Sequence, residues 1–499
     1  MQDMERTEAM MNKKWTLLLF LAVVLLVFST FPYRNYLSDD LFISLQFARN
    51  LSESGEFSFN RGEPVYGFTS PLWVFLLTIG SKISPDILKV ARILSTTFGL
   101  ASVVVFFFLT RKIIRNEGIA YVTTLILAYD LWIVRWIPSG MEAPLAIFLI
   151  SLGILLYYNE SQILWVSLSF AFASLARPES ALLIPIMILD SWVNHKRGKK
   201  EIFKATVLYG FLLLSWILYA RTALGSPFPT TFAAKHEFPA EFSSMIASFS
   251  IGARIIGSTY LIQILLFLWL LIRFWKQILK NHLLTFGWLL GLPLFYLSGG
   301  TVLISRYLVL ILPYLLLFSG LSVVNFLKTP LRSRYLHRMA LTLIFFLIFI
   351  NSSITGWLVN HPYIEKNTEV FHESFIYIGK WFYENTLPNS TILIGDVGAI
   401  GYFSQRKIYD CTGLISPSFI PLWRKYGVHA ILKDVLFAEM ARPDYVVDAA
   451  LRPNILVEES LHQGLYQPLF SRKYRGRGQQ DKTLYYTVYQ MDWSRFDSH

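Results

Sequence analysis

The feature that most constrains this chain is a series of long apolar segments. About a dozen runs of roughly 14 to 23 residues precede position 359, and an α-helix needs about 20 residues to cross a bilayer. Of the 499 residues, 54% are hydrophobic and only 16% are charged, whereas a soluble domain has about 25% charged residues. Because a spanning segment must satisfy its own backbone hydrogen bonds, these runs predict a polytopic helical membrane protein.

The sequence also argues against several classes of function. Its one cysteine, Cys411, cannot form an internal disulfide, and no Cys/His spacing is typical of a metal site. There is no Walker sequence, no Gly-rich nucleotide fingerprint and no internal repeat. The net charge of +12 lies mostly in loop Lys and Arg residues, which indicates membrane orientation rather than nucleic-acid binding. The first apolar run lacks a small-residue cleavage site, so we expect a retained helix rather than a signal peptide.

Four basic loops determine the predicted topology. They lie at 111–115, 195–200, 273–280 and 328–338. The positive-inside rule places all four in the cytoplasm with the N-terminus. Residues 71–84 then cannot cross, since about 14 residues, roughly 21 Å as a helix, fall short of the ~30 Å apolar core. We interpret this segment as an interfacial or re-entrant helix.

The other runs predict about eleven spans in an inner or plasma membrane. They lie at 15–31, 90–110, 119–137, 141–158, 162–176, 179–193, 204–221, 250–272, 283–297, 303–324 and 339–358. The tail then falls outside. It lacks long apolar runs and carries the strand-like stretches "STILIG", "RPDYVVDAAL" and "TLYYTVYQM". We therefore predict a transmembrane domain over 1–358 and a small external α/β domain over 359–499.

The same topology brings a set of polar residues to the outer side. They are Asp39, Asp40, Arg135, Glu142, Arg177, Glu179, Lys235, His236 and Arg306. Asp39 and Asp40 begin the stretch "DDLFISLQFARN". A structural interpretation is that Ser38 caps a helix and both carboxylates favour its dipole. A functional one is that one acid faces a site while its neighbour, about 100° around the helix, caps, positions it or shares a cation.

Two arginines follow short apolar runs. Arg177 and Glu179 either form a helix-breaking turn or belong to the site, and charge at mid-membrane is costly. Arg306 opens a span with no acidic neighbour in sequence, so we expect an anion beside it, either a lipid phosphate or a carboxylate across the bundle.

Three further polar residues have a simpler, purely structural interpretation. Lys235 and His236 lie on a long outer loop, where a solvated side chain is the usual state. Glu142 follows Gly140 and either caps the next helix or faces the first pair of acids.

The stretch from Asp39 to Trp73, "DDLFISLQFARNLSESGEFSFNRGEPVYGFTSPLW", resembles the first external loop of bacterial GT-C glycosyltransferases. It is most similar to the arabinofuranosyltransferase AftB-like branch, although Gln46-Phe47 stands where that pattern has Arg-Tyr. The later blocks "SGMEAPL", "LARPESALL", "SRYLVLILP" and "GDVGAIGYFSQRKIYDCTGLISP" resemble blocks of the same families in the same order.

The resemblance implies an inverting transferase that uses a sugar on a polyprenyl phosphate at the outer face of the membrane. It implies juxtamembrane helices in the first loop, and it implies Asp39 as general base, with Asp40 orienting it or acting instead. Arg306 and Lys235, and with them Arg177, would hold the donor phosphate. The supporting residues would be Glu142, Glu179 and His236. No cofactor is indicated with certainty, and a divalent cation between Asp39, Asp40 and Glu142 is left open.

Two other classes of function are compatible with the sequence. One is a transporter or flippase of lipid-linked sugars, for which internal repeats and discontinuous helices are expected. The other is a non-catalytic protein of glycan assembly. The donor sugar, the length of the lipid and the acceptor, whether envelope glycan, glycolipid or protein, cannot be read from the sequence.

Overall fold

The structure is a computed structural model that describes residues 2–235, 242–301, 303–328, 334–475 and 483–496. The chain forms two compact units. The first contains Met1–Asn35, Ala91–Ser215 and Glu237–Pro362, and the second contains Tyr36–Val90, Trp216–His236 and Tyr363–His499.

Helices make up most of the described chain. In chain order they are α1 (Gln2–Thr30), α2 (Asp39–Ser54), α3 (Pro71–Ser81), α4 (Ile87–Ile114), α5 (Glu117–Ala128), α6 (Leu131–Trp136), α7 (Ala143–Tyr158), α8 (Ile163–Ala176), α9 (Leu183–Asn194), α10 (Lys199–Ala223), α11 (Thr230–Lys235), α12 (Phe242–Ser298), α13 (Ser305–Leu308), α14 (Leu312–Leu327), α15 (Arg334–Ile354), α16 (His361–Phe371), α17 (Tyr377–Asn385), α18 (Gly398–Ser404), α19 (Ile420–Lys433), α20 (Ile455–Glu459) and α21 (Trp493–Phe496).

The first unit contains most of the apolar helices. Within the described residues, five helical segments are long and apolar enough to cross a membrane, or six if the bent pair α5 and α6 forms one span. Four shorter apolar helices are α3, α7, α8 and α14. A multi-pass membrane protein is thus supported, while the count of about eleven spans and the orientation of the termini remain predictions.

One predicted loop is mostly helical. Residues 273–280 were expected to be a loop between two spans, and the helical segment α12 continues through them. Non-helical backbone angles at Phe274 and His282 interrupt α12 near the two ends of this stretch. The stretch contains neither Gly nor Pro, and Lys, Gln, Leu and Arg are good helix formers. The role of 273–280 as a connection between two spans stays a prediction.

The second unit begins with the first loop, which packs around aromatic side chains. Phe47 lies 4.7 Å from Phe68, ring centre to ring centre, and the Gln46 amide donates to the Phe59 carbonyl at 3.1 Å. Asn50 donates to the same carbonyl at 2.9 Å. The Gln46-Phe47 pair that departs from the family pattern is therefore part of this core. Helix α3 has only 11 residues, about 16 Å, so it is too short to cross a bilayer.

The tail in the second unit forms a five-stranded sheet in the order β2-β1-β3-β5-β4. The strands are β1 (Thr391–Ile394), β2 (Lys407–Asp410), β3 (Tyr445–Ala450), β4 (Tyr466–Arg475) and β5 (Thr483–Met491). β1 pairs parallel with β2 and β3, whereas β5 is antiparallel to β3 and β4. The small α/β fold expected from the strand-like stretches is present.

A buried acid in β3 makes the stability of this sheet pH-dependent. Asp448 is 2% exposed, and burial raises the pKa of its carboxyl group to about 6. Since the unfolded value is near 3.9, the folded state holds the proton more tightly, so the sheet loses about 2–3 kcal/mol of stability as pH rises from about 4 through 6.

We therefore expect Asp448→Asn to protect β3 amides from hydrogen exchange more than the wild type does above about pH 6. The two proteins should be equally protected near pH 4, where both side chains are neutral. Hydrogen exchange of the full-length protein at matched pH measures this difference. Glu439→Gln, an exposed acid of the same unit, is the control and should show no pH-dependent difference. Equal protection of Asp448→Asn and wild type at every pH contradicts the prediction.

Candidate functional site

The first predicted acid anchors the tail. Asp39 is the first residue of α2 and is 6% exposed. Its carboxylate accepts hydrogen bonds from the backbone amides of Gly398 at 3.0 Å and Ala399 at 2.8 Å, at the start of α18. Amide groups at a helix N-terminus favour a negative charge, and hydrogen bonds to an ionised acceptor are among the stronger ones. Asp39 therefore ties α2 to α18 within the second unit.

A glycine permits this close approach. A Cβ atom added to Gly398 would lie 2.1 Å from the Asp39 carbonyl oxygen, well inside van der Waals contact. Gly398, in the stretch "GDVGAIG", is therefore required by the packing of α18 against the acid.

The second acid differs from the first in its exposure. Asp40 is half-buried and lies about 100° from Asp39 around α2. The Asp39 carboxylate is held by backbone amides, although the family resemblance implied Asp39 as the base. The assignment of the base to either residue remains a prediction.

Two more contacts hold the first loop against the tail. The Arg49 guanidinium donates to the Tyr402 carbonyl at 3.0 Å and lies 3.6 Å from the centre of its ring. The Asn60 side chain donates to the Ile408 carbonyl and accepts from the Ile408 amide, both at 2.9 Å, which extends the edge of β2. The sequence analysis did not anticipate that the first loop and the tail form one unit.

The first unit contains a buried ion cluster formed by predicted residues. Arg177 Nη1 lies 2.9 Å from Glu142 Oε1, and Arg177 Nε lies 3.0 Å from Glu179 Oε1. All three side chains are less than a tenth exposed. Glu142 precedes α7 and Arg177 ends α8. The cluster therefore joins the ends of two helices, and both carboxylates neutralise Arg177.

Two tyrosines, which the sequence analysis missed, complete this cluster. Tyr296 donates to Glu179 Oε1 at 2.6 Å and stacks on Tyr307, with the ring centres 4.5 Å apart. The guanidinium carbons of Arg177 and Arg306 lie 5.3 and 5.5 Å from the Tyr307 ring centre. Four predicted polar residues thus gather in one region of the first unit, with two positive and two negative charges.

The remaining predicted residues are described only in part. Lys235 ends α11, but its side chain and the whole of His236 lie outside the described residues. Among the described residues, no group of three or more His, Cys, Asp or Glu side chains is placed to hold a metal ion.

Solved structures share this fold over most of the chain. ArnT from Cupriavidus metallidurans, bound to undecaprenyl phosphate, is 10% identical with a TM-score of 0.60, covering 95% of this chain and 98% of that one. The oligosaccharyltransferase AglB from Archaeoglobus fulgidus, in complex with an inhibitory peptide and a dolichol-phosphate, is 11% identical with a TM-score of 0.62, covering 87% and 69%. The arabinofuranosyltransferase AftD from mycobacteria is 14% identical with a TM-score of 0.55, covering 96% and 40%.

Sequence comparisons give less information about this chain than the structural comparisons do. Residues 364–493 match a family described as a domain of unknown function (DUF8728), and no curated protein matches the chain. At the identities above, the structural likeness establishes the fold and not the activity. The mainly helical fold with a small C-terminal sheet is therefore shared with these structures, whereas the GT-C superfamily and the AftB-like branch remain predictions.

Proposed function

We propose that this protein is a membrane glycosyltransferase that moves a sugar from a polyprenyl-phosphate donor to a cell-envelope acceptor on the outer face of the membrane. The observation that carries the proposal is the likeness to ArnT with undecaprenyl phosphate bound, over 95% of this chain and 98% of that one. The AglB structure holds a dolichol-phosphate, so a polyprenyl phosphate accompanies two of the similar structures.

We propose a single displacement that inverts the anomeric centre. The acceptor hydroxyl oxygen attacks the anomeric carbon while a carboxylate takes the hydroxyl proton, and the bond to the lipid phosphate oxygen breaks. Asp40 is our choice of base, because Asp39 already accepts two backbone hydrogen bonds. Asp39 is then a positioning residue. The departing lipid phosphate carries away the bonding electron pair and needs preorganised positive charge.

Arg306 is the proposed phosphate ligand. It is 7% exposed, and its guanidinium carbon lies 5.5 Å from the centre of the Tyr307 ring, beside which Arg177 also lies. A guanidinium matches the geometry of a phosphate. Lys235 is retained as a second phosphate ligand on the basis of the family resemblance alone.

Arg306→Ala is expected to weaken binding of undecaprenyl phosphate to the purified protein about 10- to 100-fold, since a hydrogen bond to a charged group contributes about 1.5–3 kcal/mol. Titration of the full-length protein in detergent measures this affinity. Arg273→Ala, an exposed arginine of the same unit, is the matched control and should bind as the wild type does. Unchanged affinity in a folded Arg306→Ala protein removes this residue from the donor site.

The proposed function is tested by comparing the envelope glycans of the native host with and without the gene, using mass spectrometry. We expect one sugar linkage to disappear in the deletion strain and to return with the wild-type gene. An unchanged glycan profile, together with retained lipid-linked sugar export, rejects the transferase. Loss of lipid-linked sugar from the outer leaflet instead favours the flippase.

A further inference from the structure

A basic cavity of about 470 Å³ lies within the first unit. Its lining includes residues from five segments of the sequence. The cations are Lys112, Arg115, Lys196, Arg197 and Lys328, and the acid in the lining is Glu160. Three of the predicted cytoplasmic loops supply these cations, and Gln277 from the fourth basic segment also lines the cavity. All four basic segments therefore meet at one end of this unit.

Two of the cations are held in place by ion pairs or hydrogen bonds to defined partners. The Lys196 ammonium lies 3.0 Å from a fully buried Asp190 carboxylate and donates to the Asn281 carbonyl at 2.9 Å. The Arg197 guanidinium donates to the carbonyls of Tyr157 at 3.2 Å and Glu160 at 3.3 Å. Membrane orientation requires positive charge but no particular geometry. The fixed positions of these side chains indicate a preorganised cavity lining rather than a set of mobile loop cations.

The other three cations lie around the opening. Lys112, Arg115 and Lys328 are exposed, and within the described residues none of their side chains makes an ion pair. In the cavity wall, His282 has a buried Nδ1 atom without a hydrogen-bond partner among the described residues. The excess positive charge of the cavity suits an anion. The ring nitrogen of His282 can form a hydrogen bond with an oxygen of that anion.

We propose that this cavity is a binding site for a phosphate group, carried either by an anionic lipid or by a soluble phosphate compound. Several converging cations are the usual ligands of phosphate, and basic pockets between membrane helices bind anionic headgroups. The volume lies within the range of small-molecule sites, about 300–1,000 Å³.

This site is separate from the Glu142–Arg177–Glu179 cluster. Helix α7 begins next to Glu142 and ends at Tyr158, which lines the cavity. Its 16 residues extend about 24 Å. The two groups of charges therefore lie at opposite ends of one helix. The inference does not depend on the proposed sugar transfer, because it concerns a binding site that shares none of those residues.

The test compares two triple variants of the full-length protein with equal loss of charge. The cavity variant carries Lys112→Gln, Arg115→Gln and Lys328→Gln, which removes cations at the opening and leaves the held pair in place. The control carries Lys199→Gln, Lys200→Gln and Lys204→Gln, which are exposed residues outside the lining. The probes are inorganic pyrophosphate, titrated in detergent, and phosphatidylglycerol, counted by native mass spectrometry after extraction from vesicles with phosphatidylcholine.

We expect the wild type and the control to bind at least one probe, and the cavity variant to bind it at least tenfold more weakly. Binding of pyrophosphate alone identifies a soluble phosphate as the source, and retention of phosphatidylglycerol alone identifies a lipid. A charge-preserving variant, Lys112→Arg with Lys328→Arg, should bind as the wild type does, and an unchanged thermal unfolding midpoint of the cavity variant shows that it is folded. The proposal is overturned if neither probe binds the wild type, or if the control triple loses as much affinity as the cavity triple.

Discussion

Asp40→Asn is expected to lower the rate of sugar transfer about 10²- to 10⁴-fold, which is the usual contribution of a general base. The side chain keeps its size and loses its ability to accept a proton, so the loss should appear in the rate and not in the folding of the second unit. Transfer from an undecaprenyl-phosphate-linked sugar by the purified full-length protein measures the rate, and hydrogen exchange of α2 and α18 checks the fold.

The neighbouring acid provides the decisive comparison. Asp39→Asn replaces one of two acceptor oxygens with an NH₂ group that cannot accept from Ala399 or Gly398. We expect loss of protection at the start of α18, on the order of 1.5–3 kcal/mol, because the charge-assisted bonds are weakened. Glu53 is an exposed acid of α2. Glu53→Gln should change neither the rate of sugar transfer nor the hydrogen-exchange protection of α18. If Asp40→Asn transfers at the wild-type rate while a folded Asp39→Asn protein is inactive, the two roles are reversed.

Arg177→Ala is expected to destabilise the first unit by about 3–5 kcal/mol, since breaking a buried ion pair leaves uncompensated charge. Two glutamates, Glu142 and Glu179, would lose their shared partner in a region where each of them is less than a tenth exposed. Thermal unfolding of the full-length protein in detergent should show a lower midpoint. The substitution should change the free energy of unfolding more than it changes the free energy of donor binding.

A triple variant separates charge compensation from simple packing. Arg177→Met combined with Glu142→Gln and Glu179→Gln removes the charges together and should recover most of the lost stability. If Arg177→Ala unfolds as the wild type does but binds undecaprenyl phosphate more weakly, the arginine acts as a donor ligand and the structural role assigned to it is wrong.

Local sequence patterns predicted the elements of this fold well. The β-branched and aromatic stretches around Thr391, Tyr445 and Thr483 are strands β1, β3 and β5, because each strand is specified by its own residues. The short helix α3 was expected from the positions of the basic loops and from its length. The positive-inside rule also placed Glu142, Arg177, Glu179 and Arg306 on the same side of the membrane, because it fixes which end of each span faces outward.

Pairing between distant residues could not be predicted in the same way. Asp39 and Gly398 are 359 positions apart, and no local preference indicates that a helix start in the tail needs an acid from the first loop. Tyr296 looked like any aromatic residue of an apolar helix, although it donates to Glu179. The charge of segment 273–280 predicted a loop, whereas its residues are good helix formers and form helix between the non-helical Phe274 and His282.

The central claim is that this chain carries out sugar transfer with inversion. The most direct test incubates the purified protein with a panel of undecaprenyl-phosphate pentoses and hexoses and with envelope glycan from the deletion strain. Nuclear magnetic resonance then determines the anomeric configuration of the new linkage. Our account predicts a product whose configuration is opposite to that of the donor, and whose rate of formation Asp40→Asn lowers about 10²- to 10⁴-fold. Retention of configuration, or no product from any donor in the panel, contradicts it.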